Sequence, residues 1–527
     1  MYLSLTAVNK KILFIACLLY AILFGLLFPY YKYIFDPDAT GYLSVANFIH
    51  DGKYFKSING FWSPLGSWIL VPFLKTGMDP VIICKYINGI ISLFILFSVY
   101  QLIKKITLND LVKNVILFSL VVVLLYFTFY ELFADLLQSF ILLLYLNLVC
   151  SKNFIRSWWK LVLCGIIGGL GYYTKYYTFY FFIVHFIIVA YFLVRTEFPN
   201  SFYRTFFKKI GIAFISLLIV VIPWWIALSN KYEKFTISNT GKLNSTWNLT
   251  SASDQPRMLI VTPPYSENHS LWEDPSFWPG KYVTPFENKA VFLQQLKLIV
   301  SNGIKWINIL NGFSFLAVIT ILLGVYFIRK KKTSLTNDLN FPILLSFVLL
   351  LPLGYLFLVI TDRYLWSANI VLLLLTGALL TAFYNENYFS KKSFVFMLLL
   401  FSFSFLLYPV DQLWGMRHKG EDIYATAAAL NKNNIRGKLL CNYRSADEAG
   451  KAEILCYLTN SQFYGPGTID YSYEEILNAI HQYKIDYYFF YYTTSYEKEM
   501  FKGSLLAKNA SRLYDEIYPG LMIAAFK

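Results

Sequence analysis

The segment Phe35–Gly66 reads FDPDATGYLSVANFIHDGKYFKSINGFWSPLG and follows directly on the apolar run 12–30. It is long for a connection between two membrane helices, and it carries Asp36, Asp38 and Asp51 together with several aromatic residues. The stretch that begins with Asp-Pro has the pattern of an amphipathic helix, because aspartate and proline commonly start helices. An ionised carboxylate at the edge of a membrane costs free energy, so such residues are candidates for a functional site. This segment therefore raises the question of what the chain does.

The composition indicates a membrane protein with many spans. Of the 527 residues, 57% are hydrophobic and only 15% are charged, whereas about a quarter of a typical soluble chain is charged. The net charge of +15 would suggest nucleic-acid binding in a soluble protein. Here the lysines and arginines lie in short clusters between apolar runs, which is typical of signals for membrane orientation. We therefore expect membrane lipids, and not nucleic acid, as partners.

Eleven apolar segments have roughly the length of a membrane span, about 20 residues or somewhat fewer when helices pack together. They are 12–30, 81–103, 114–130, 135–150, 160–174, 177–194, 210–228, 304–328, 341–360, 365–384 and 393–410. Every second connection is rich in lysine and arginine, which by the positive-inside rule places these connections and the N-terminus in the cytoplasm. The pattern predicts a multi-pass protein of the plasma (inner) membrane with an extracytoplasmic C-terminus.

We predict two domains, a transmembrane domain over 1–410 and an extracytoplasmic domain over 411–527. Loops 31–80 and 229–303 of the first domain are expected on the outer face with the second. In the tail, EDIYATAAALNKN and EEILNAIHQYK have helical patterns, whereas IDYYFFYY is typical of a buried strand. The alternation predicts a small α/β domain.

Several charged residues lie at the outer ends of the predicted spans. They are Asp36, Asp38, Glu131, Asp135, Lys175 and Arg363. A carboxylate there can take a proton from an acceptor hydroxyl or amine, and lysine and arginine can hold a phosphate. Because these turns all emerge on one face, we predict that their side chains converge on one site.

Each of these residues also has a structural interpretation. The two aspartates of the first loop can cap the helix that follows them, and Asp135 can cap the fourth span. Lys175 can extend towards lipid headgroups, and Arg363 can pair with Asp362 in a solvated turn. Their joint placement on one face is what favours a functional site.

Six sequence motifs make the chain resemble the GT-C integral-membrane glycosyltransferases. The closest likeness is to the protein O-mannosyltransferases and lipid A aminoarabinose transferases (families 39 and 83). DATGY matches the acidic first-loop motif Asp-x-x-x-Tyr with Asp38 and Tyr42, and GFWSPLGSWILVPFL matches the proline-containing segment after it. ADLLQSFILLLYLNL, GGLGYYTKYYTF, IPWWIALSN and DRYLW follow in the order of the family's later motifs.

The resemblance implies that a sugar passes with inversion from a polyprenyl-phosphate-linked donor to a lipid, glycan or protein outside the cytoplasm. It implies Asp38 as the general base and Asp135 as the second acidic position, which orients the acceptor or Lys175. Lys175 and Arg363 would hold the donor phosphate. The remaining expected substrate-binding residues are Tyr42, Asp36, Lys53 and Lys56.

Some members of the group use a divalent metal, but no clear ligand set is present in this sequence. The six cysteines have no metal-binding spacing. One alternative function is a non-catalytic transporter or flippase of a lipid-linked substrate. Transporters often carry broken helices in two related halves, and this sequence has no such pairing. The other alternative is a membrane-anchored binding protein that works through its aromatic loop and tail.

Overall fold

The computed structural model describes residues 10–130, 132, 134–250, 260–330, 339–442, 446–465 and 471–527. Glu131, one of the predicted outer-face residues, lies outside the described residues. The first part of the chain is helical. Its helices are α1 (Lys10–Tyr31), α2 (Pro37–His50), α3 (Tyr54–Ser57), α4 (Leu65–Leu74), α5 (Pro80–Ile103), α6 (Asp110–Tyr130), α7 (Ala134–Val149), α8 (Trp158–Thr174), α9 (Tyr177–Glu197), α10 (Phe202–Tyr232), α11 (Thr240–Leu249), α12 (Lys289–Phe313), α13 (Ala317–Lys330), α14 (Asn340–Leu350), α15 (Leu353–Leu356), α16 (Trp366–Asn385) and α17 (Lys391–Met416).

Each predicted span coincides with a helix or a helix pair, but not every helix is long enough to cross a membrane alone. Among the described residues, seven helices have the required length and apolar composition, or eight when α12 and α13 are counted as one span. Helices α7 and α14–α15 are apolar but shorter. The protein is therefore a multi-pass membrane protein, and the number of eleven spans stays a prediction.

Two predicted spans differ from straight helices. Segment 304–328 contains a bend of 105° between α12 and α13, where Ser314 has extended backbone and shares a 2.6 Å hydrogen bond with Ser404. Segment 341–360 ends as a helix at Leu356. Pro352 interrupts it, because proline lacks the N–H that a helix interior requires. The interruption places residues 354–364 at the same end of the bundle as α2, where the candidate site lies.

Close packing holds the helices together around α16, which is buried along its whole apolar length. The Trp366 ring at its start stacks on Phe127 of α6, with 4.2 Å between ring centroids. Helices α8 and α10 approach closely at Gly165, where a Cβ atom would lie 2.1 Å from the Ala213 carbonyl oxygen. Small residues allow this kind of backbone approach between membrane helices.

The last part of the chain contains a five-stranded mixed sheet with the strand order β2-β1-β3-β5-β4. Strand β1 is parallel to β2 and β3, whereas β5 is antiparallel to β3 and β4. The elements are α18 (Glu421–Lys432), β1 (Lys438–Asn442), α19 (Ala446–Thr459), β2 (Gln462–Phe463), α20 (Tyr473–Tyr483), β3 (Tyr487–Tyr491), α21 (Ser495–Lys502), α22 (Leu505–Asn509), β4 (Arg512–Tyr518) and β5 (Leu521–Ala525). Helices α18 and α19 cover one face of the sheet, and α20, α21 and α22 cover the other.

The sheet region packs directly on the segment that connects α1 and α5. A Cβ atom on Gly450 of α19 would lie 2.5 Å from the Pro37 ring of α2, and the Tyr424 hydroxyl donates to Asp79 at 3.1 Å. Ile454 of α19 belongs to the main hydrophobic core of the bundle. Helix α17 continues to Met416, past the domain boundary that we predict at 410. The two parts of the chain therefore share an extensive contact at α2.

Candidate active site

The start of α2 gives its two aspartates different roles. The Asp36 carboxylate caps the helix, because its Oδ1 accepts a hydrogen bond from the Ala39 backbone N–H at 2.8 Å, and Pro37 follows at the first helical position. Asp38 lies one residue further on, in the first turn. Its Oδ1 accepts from the Trp272 indole N–H at 3.1 Å, so its carboxylate is oriented by tertiary contacts.

Three carboxylates surround the guanidinium group of Arg363. Its Nη2 donates to Asp38 Oδ2 at 2.5 Å, its Nη1 lies 3.7 Å from Asp36 Oδ2, and its Nε lies 3.9 Å from Asp135 Oδ2. Lys175 donates a hydrogen bond to the other oxygen of Asp135. The structure thus brings together Asp36, Asp38, Asp135, Lys175 and Arg363, which come from four separate turns of the sequence.

These charges border a cavity of about 520 Å³. Asp38, Tyr42, Asp135, Lys175 and Arg363 line it. Eight aromatic residues contribute to the remaining wall: Phe61, Trp62, Tyr176, Tyr177, Tyr180, Trp272, Tyr355 and Tyr364. A concave, largely apolar cavity with a few convergent polar groups is the usual form of a small-molecule site.

Lys175 is held at the end of α8, where the helix stops at Thr174. Its ammonium group lies 3.5 Å from the centroid of the Tyr364 ring, a cation–π contact. An ammonium group has three donors, and the described ion pair with Asp135 uses one of them. Lys175 can therefore offer further donors to a ligand in the cavity.

The charged lining of the cavity consists of two carboxylates, Asp38 and Asp135, and three cations, Lys175, Arg363 and Lys242. Asp36 adjoins it through Arg363. Burial, followed by the neighbouring Asp38 carboxylate, raises the pKa of Asp36 to about 6. An arginine guanidinium does not lose its proton in proteins. Arg363 therefore stays charged while Asp36 is protonated in mildly acidic conditions.

Lys53 and Lys56, two of the predicted substrate-binding residues, lie outside the cavity. Lys56 pairs with Glu267 at 2.6 Å, and Lys53 lies 3.6 Å from the same carboxylate. The hydrogen bond from Lys56 lowers the pKa of Glu267 to about 2. Neither lysine is among the described residues that line the cavity. An exposed glutamate of the 229–303 loop binds both, and their contact with a donor phosphate stays a prediction.

Asp362, which the sequence suggests as a partner of Arg363, has two tyrosine partners. Its carboxylate accepts hydrogen bonds from Tyr126 at 2.6 Å and from Tyr408 at 3.2 Å.

A metal site is not formed within the described ranges, where no group of three or more His, Cys, Asp or Glu side chains is placed to hold an ion. The carboxylates of the cavity instead gather around the guanidinium of Arg363.

Sequence reasoning missed the tryptophans that shape the Asp38 side of the cavity. The Trp62 indole N–H donates to the Trp272 backbone carbonyl at 2.8 Å, and Trp272 in turn donates to Asp38. Trp272 comes from the 229–303 loop, where tryptophan is also typical of a membrane-interface anchor. Only the folded loop reveals its contact with α2.

Gly41, in the DATGY motif, is required for this arrangement. A Cβ atom at this position would lie 2.1 Å from Trp62 Nε1. We expect Gly41→Ala to displace the Trp62 ring and lower any activity of the site at least 10-fold. Gly211→Ala is the matched control, since a Cβ atom there would meet nothing within 4 Å. Turnover measured for both variants checks this, and equal activity of Gly41→Ala and wild type would contradict it.

A partly buried glutamate of the tail, Glu453, lies near α2. Burial, followed by the Asp38 and Glu273 carboxylates, raises the pKa of Glu453 on α19 to about 8. Glu273 is itself buried, and its Oε2 accepts from the Asn268 side chain at 2.6 Å. The contact between α19 and α2 thus contains a carboxyl group, that of Glu453, whose pKa the fold raises.

We expect the pH dependence of stability to report on Glu453. This carboxyl loses its proton near pH 4.5 in the unfolded chain and near pH 8 in the folded protein. Because the folded state binds the proton more tightly, its contribution to stability is full below pH 4.5 and falls as pH rises to about 8. Between pH 5 and 8 the thermal unfolding midpoint of wild type should fall as pH rises, and that of Glu453→Gln should fall less. An identical slope in both proteins would contradict the assignment.

Comparisons with known proteins agree with this architecture. No protein-family model and no curated protein sequence matches the chain. Among solved structures, ArnT from Cupriavidus metallidurans bound to undecaprenyl phosphate matches with a TM-score of 0.56 and 10% identity, over 97% of this chain and 98% of that one. ArnT in the apo state matches with a TM-score of 0.55 and 9% identity, over 97% of each chain.

An archaeal protein has a similar structure. The oligosaccharyltransferase of Archaeoglobus fulgidus matches with a TM-score of 0.54 and 10% identity, over 91% of this chain and 69% of that one. ArnT and the oligosaccharyltransferase are both GT-C glycosyltransferases. The likeness runs through most of the chain. The protein described here therefore has the GT-C fold of integral-membrane glycosyltransferases.

Proposed function

We propose that the protein is a glycosyltransferase that moves a sugar from a polyprenyl-phosphate-linked donor to an acceptor outside the cytoplasm. The observation that carries this proposal is the single cavity in which Asp38, Lys175 and Arg363 meet. It combines a proton acceptor with two cations at the outer end of the helical bundle. The GT-C fold and the undecaprenyl phosphate bound to a structural neighbour support the same chemistry.

In the proposed reaction, Asp38 is the general base. Its carboxylate takes a proton from the acceptor hydroxyl or amine, whose oxygen or nitrogen attacks the anomeric carbon of the donor sugar. The bond between that carbon and the phosphate oxygen breaks, and the bonding electrons leave with the polyprenyl phosphate. Attack from the face opposite the leaving group inverts the anomeric configuration. Each oxygen of Asp38 accepts one described hydrogen bond, and a carboxylate oxygen has room for another.

Lys175 and Arg363 stabilise the negative charge that develops on the leaving phosphate. Charged donors placed where charge develops lower the barrier of a reaction directly. Lys175 is the stronger candidate for contact with the phosphate, because its ammonium group has unused donors and borders the cavity. Arg363 is partly neutralised by the carboxylates around it. Asp135 then acts as a positioning residue that fixes both cations.

The aromatic side of the cavity suits the sugar and its acceptor. Trp62 and Trp272 lie next to Asp38, and tryptophan faces stack on the apolar faces of sugar rings. The polyprenyl chain would extend from the phosphate between the helices. We place the reaction at the outer face of the plasma membrane, in keeping with the sidedness of the basic connections.

A transfer assay tests this function. The purified protein would be mixed with polyprenyl-phosphate-linked sugars and an extract of envelope lipids and glycans, and the products would be identified by mass. We expect an acceptor whose mass increases by one sugar, with release of polyprenyl phosphate. If no donor of this class yields a product with any fraction of the extract, the proposal is wrong.

A further inference from the structure

A second cavity lies in the sheet region, away from the candidate active site. It has a volume of about 220 Å³ and is bounded by α18, α19, the end of β3 and the turn between β4 and β5. Its polar lining includes Asp422, Glu448, Lys451, Tyr491 and Thr493. None of these residues takes part in the transfer chemistry proposed above.

The position of this cavity in the sheet is characteristic of ligand sites. Strand β1 is followed by α19 and then β2 on one side, whereas β3 is followed by α21, α22 and β4 on the other side. The chain therefore leaves two adjacent parallel strands in opposite directions. Such a point opens a crevice at the carboxyl ends of the strands, and ligands of open α/β sheets bind there. Tyr491 is the last residue of β3, and Glu448 lies near the start of α19, the helix that follows β1.

Tyr491 lines the cavity, and two hydrogen bonds to Asn442 hold its backbone. The Asn442 side chain donates to the Tyr491 carbonyl at 2.9 Å and accepts from the Tyr491 N–H at 2.6 Å. The Tyr491 hydroxyl is buried and has no hydrogen-bond partner within the part of the chain that the structure describes. Buried polar groups are nearly always paired, so an unpaired hydroxyl in a cavity wall points to a ligand that pairs with it.

The lining chemistry fits a sugar. Tyr491, Tyr492 and Tyr518 supply aromatic surface, while Asp422 and Glu448 supply carboxylates that accept hydrogen bonds from hydroxyls. Lys451 lies 3.8 Å from Asp422, and both side chains are about half exposed, which keeps the opening polar and accessible. The volume accommodates one sugar ring. We propose that this cavity binds a single sugar residue of a glycan.

Helix α19 connects the two cavities. Glu448, Lys451 and Leu455 line the sugar cavity from one face of the helix. From the opposite face, Gly450 contacts Pro37 and Tyr457 packs against Phe35, with ring centroids 5.6 Å apart. A glycan held in the tail would thus be one helix away from α2, which carries Asp38. Sugar binding itself does not depend on the proposed transfer function.

Saturation-transfer NMR on the full-length protein in detergent tests this site. The probes are the methyl glycosides of glucose, galactose, mannose and N-acetylglucosamine. We expect saturation transfer to at least one of them in wild type, and at least a 5-fold loss of that signal in Tyr491→Phe and in Glu448→Gln. Because the Tyr491 hydroxyl has no partner among the residues that the structure describes, its removal should leave the thermal unfolding midpoint unchanged or higher.

Two control variants separate this site from others. Tyr496→Phe removes a hydroxyl from an exposed tyrosine on α21 that does not line the cavity, so it should keep the full signal. Asp38→Asn should keep it too, because it alters only the other cavity. The proposal is overturned if no probe gives a signal, or if the signal survives in both cavity variants. Loss of the signal in Asp38→Asn alone would assign the binding to the first cavity and would also overturn it.

Discussion

Replacement of Asp38 by asparagine is expected to abolish transfer while the protein still folds and inserts. Asparagine keeps the size of the side chain and an oxygen that can accept from Trp272, but it cannot take a proton from the acceptor. General-base catalysis contributes about 10²- to 10⁴-fold to enzymatic rates, so kcat should fall by about that factor. Arg363 keeps the nearby Asp36 and Asp135 carboxylates, which limits the loss of stability.

The assay for this variant should follow sugar transfer in single-turnover conditions, with thermal unfolding as a check of folding. Asp51→Asn is the matched control. It removes a carboxylate from the same loop, where Asp51 is half exposed and lies 3.5 Å from Lys53. We expect this control to retain the wild-type rate. A rate for Asp38→Asn within a few-fold of wild type would show that Asp38 is not the base.

The second large effect concerns Lys175 and its partner. Lys175→Met leaves the Asp135 carboxylate, whose side chain is only 4% exposed, without its main counter-charge. Removing one partner of a buried ion pair typically costs several kcal/mol, and we expect a loss of stability of up to about 3 kcal/mol here. Transfer should also fall by about 10²- to 10³-fold, as when a donor to a developing negative charge is removed.

A double variant separates these two consequences. In Asp135→Asn/Lys175→Met the buried charge is gone, so the thermal unfolding midpoint should recover towards wild type. If Lys175 contacts the phosphate, transfer stays low in the double variant despite the restored stability. Recovery of both stability and transfer would mean that Lys175 serves only to neutralise Asp135.

The helical bundle could be predicted because the sequence patterns that indicate its helices are local. Apolar length and the alternation of basic connections located the helices, and the same alternation placed Asp135, Lys175 and Arg363 at one end. Their convergence with Asp38 followed from sidedness alone, without knowledge of any distance. The bend between α12 and α13 was missed, since the sequence GFSFLAVIT remains apolar through the break at Ser314.

The aromatic side of the site could not be predicted, because it depends on contacts between distant segments. Trp272 reaches Asp38 across more than two hundred residues of chain, and Glu453 approaches α2 only because α19 packs there. Neither contact leaves a periodic pattern in the sequence. The pairing of Lys53 and Lys56 with Glu267 could not be predicted for the same reason, since Glu267 comes from a distant loop.

A structure of the protein with undecaprenyl phosphate, determined by electron cryo-microscopy, tests the central claim most directly. We predict phosphate density in the cavity between Asp38 and Tyr364, within about 3 Å of Lys175 Nζ and close to the Arg363 guanidinium. The lipid chain should extend from it between the helices. Phosphate density outside this cavity, with Lys175 and Arg363 still bound only to their carboxylates, would contradict the account.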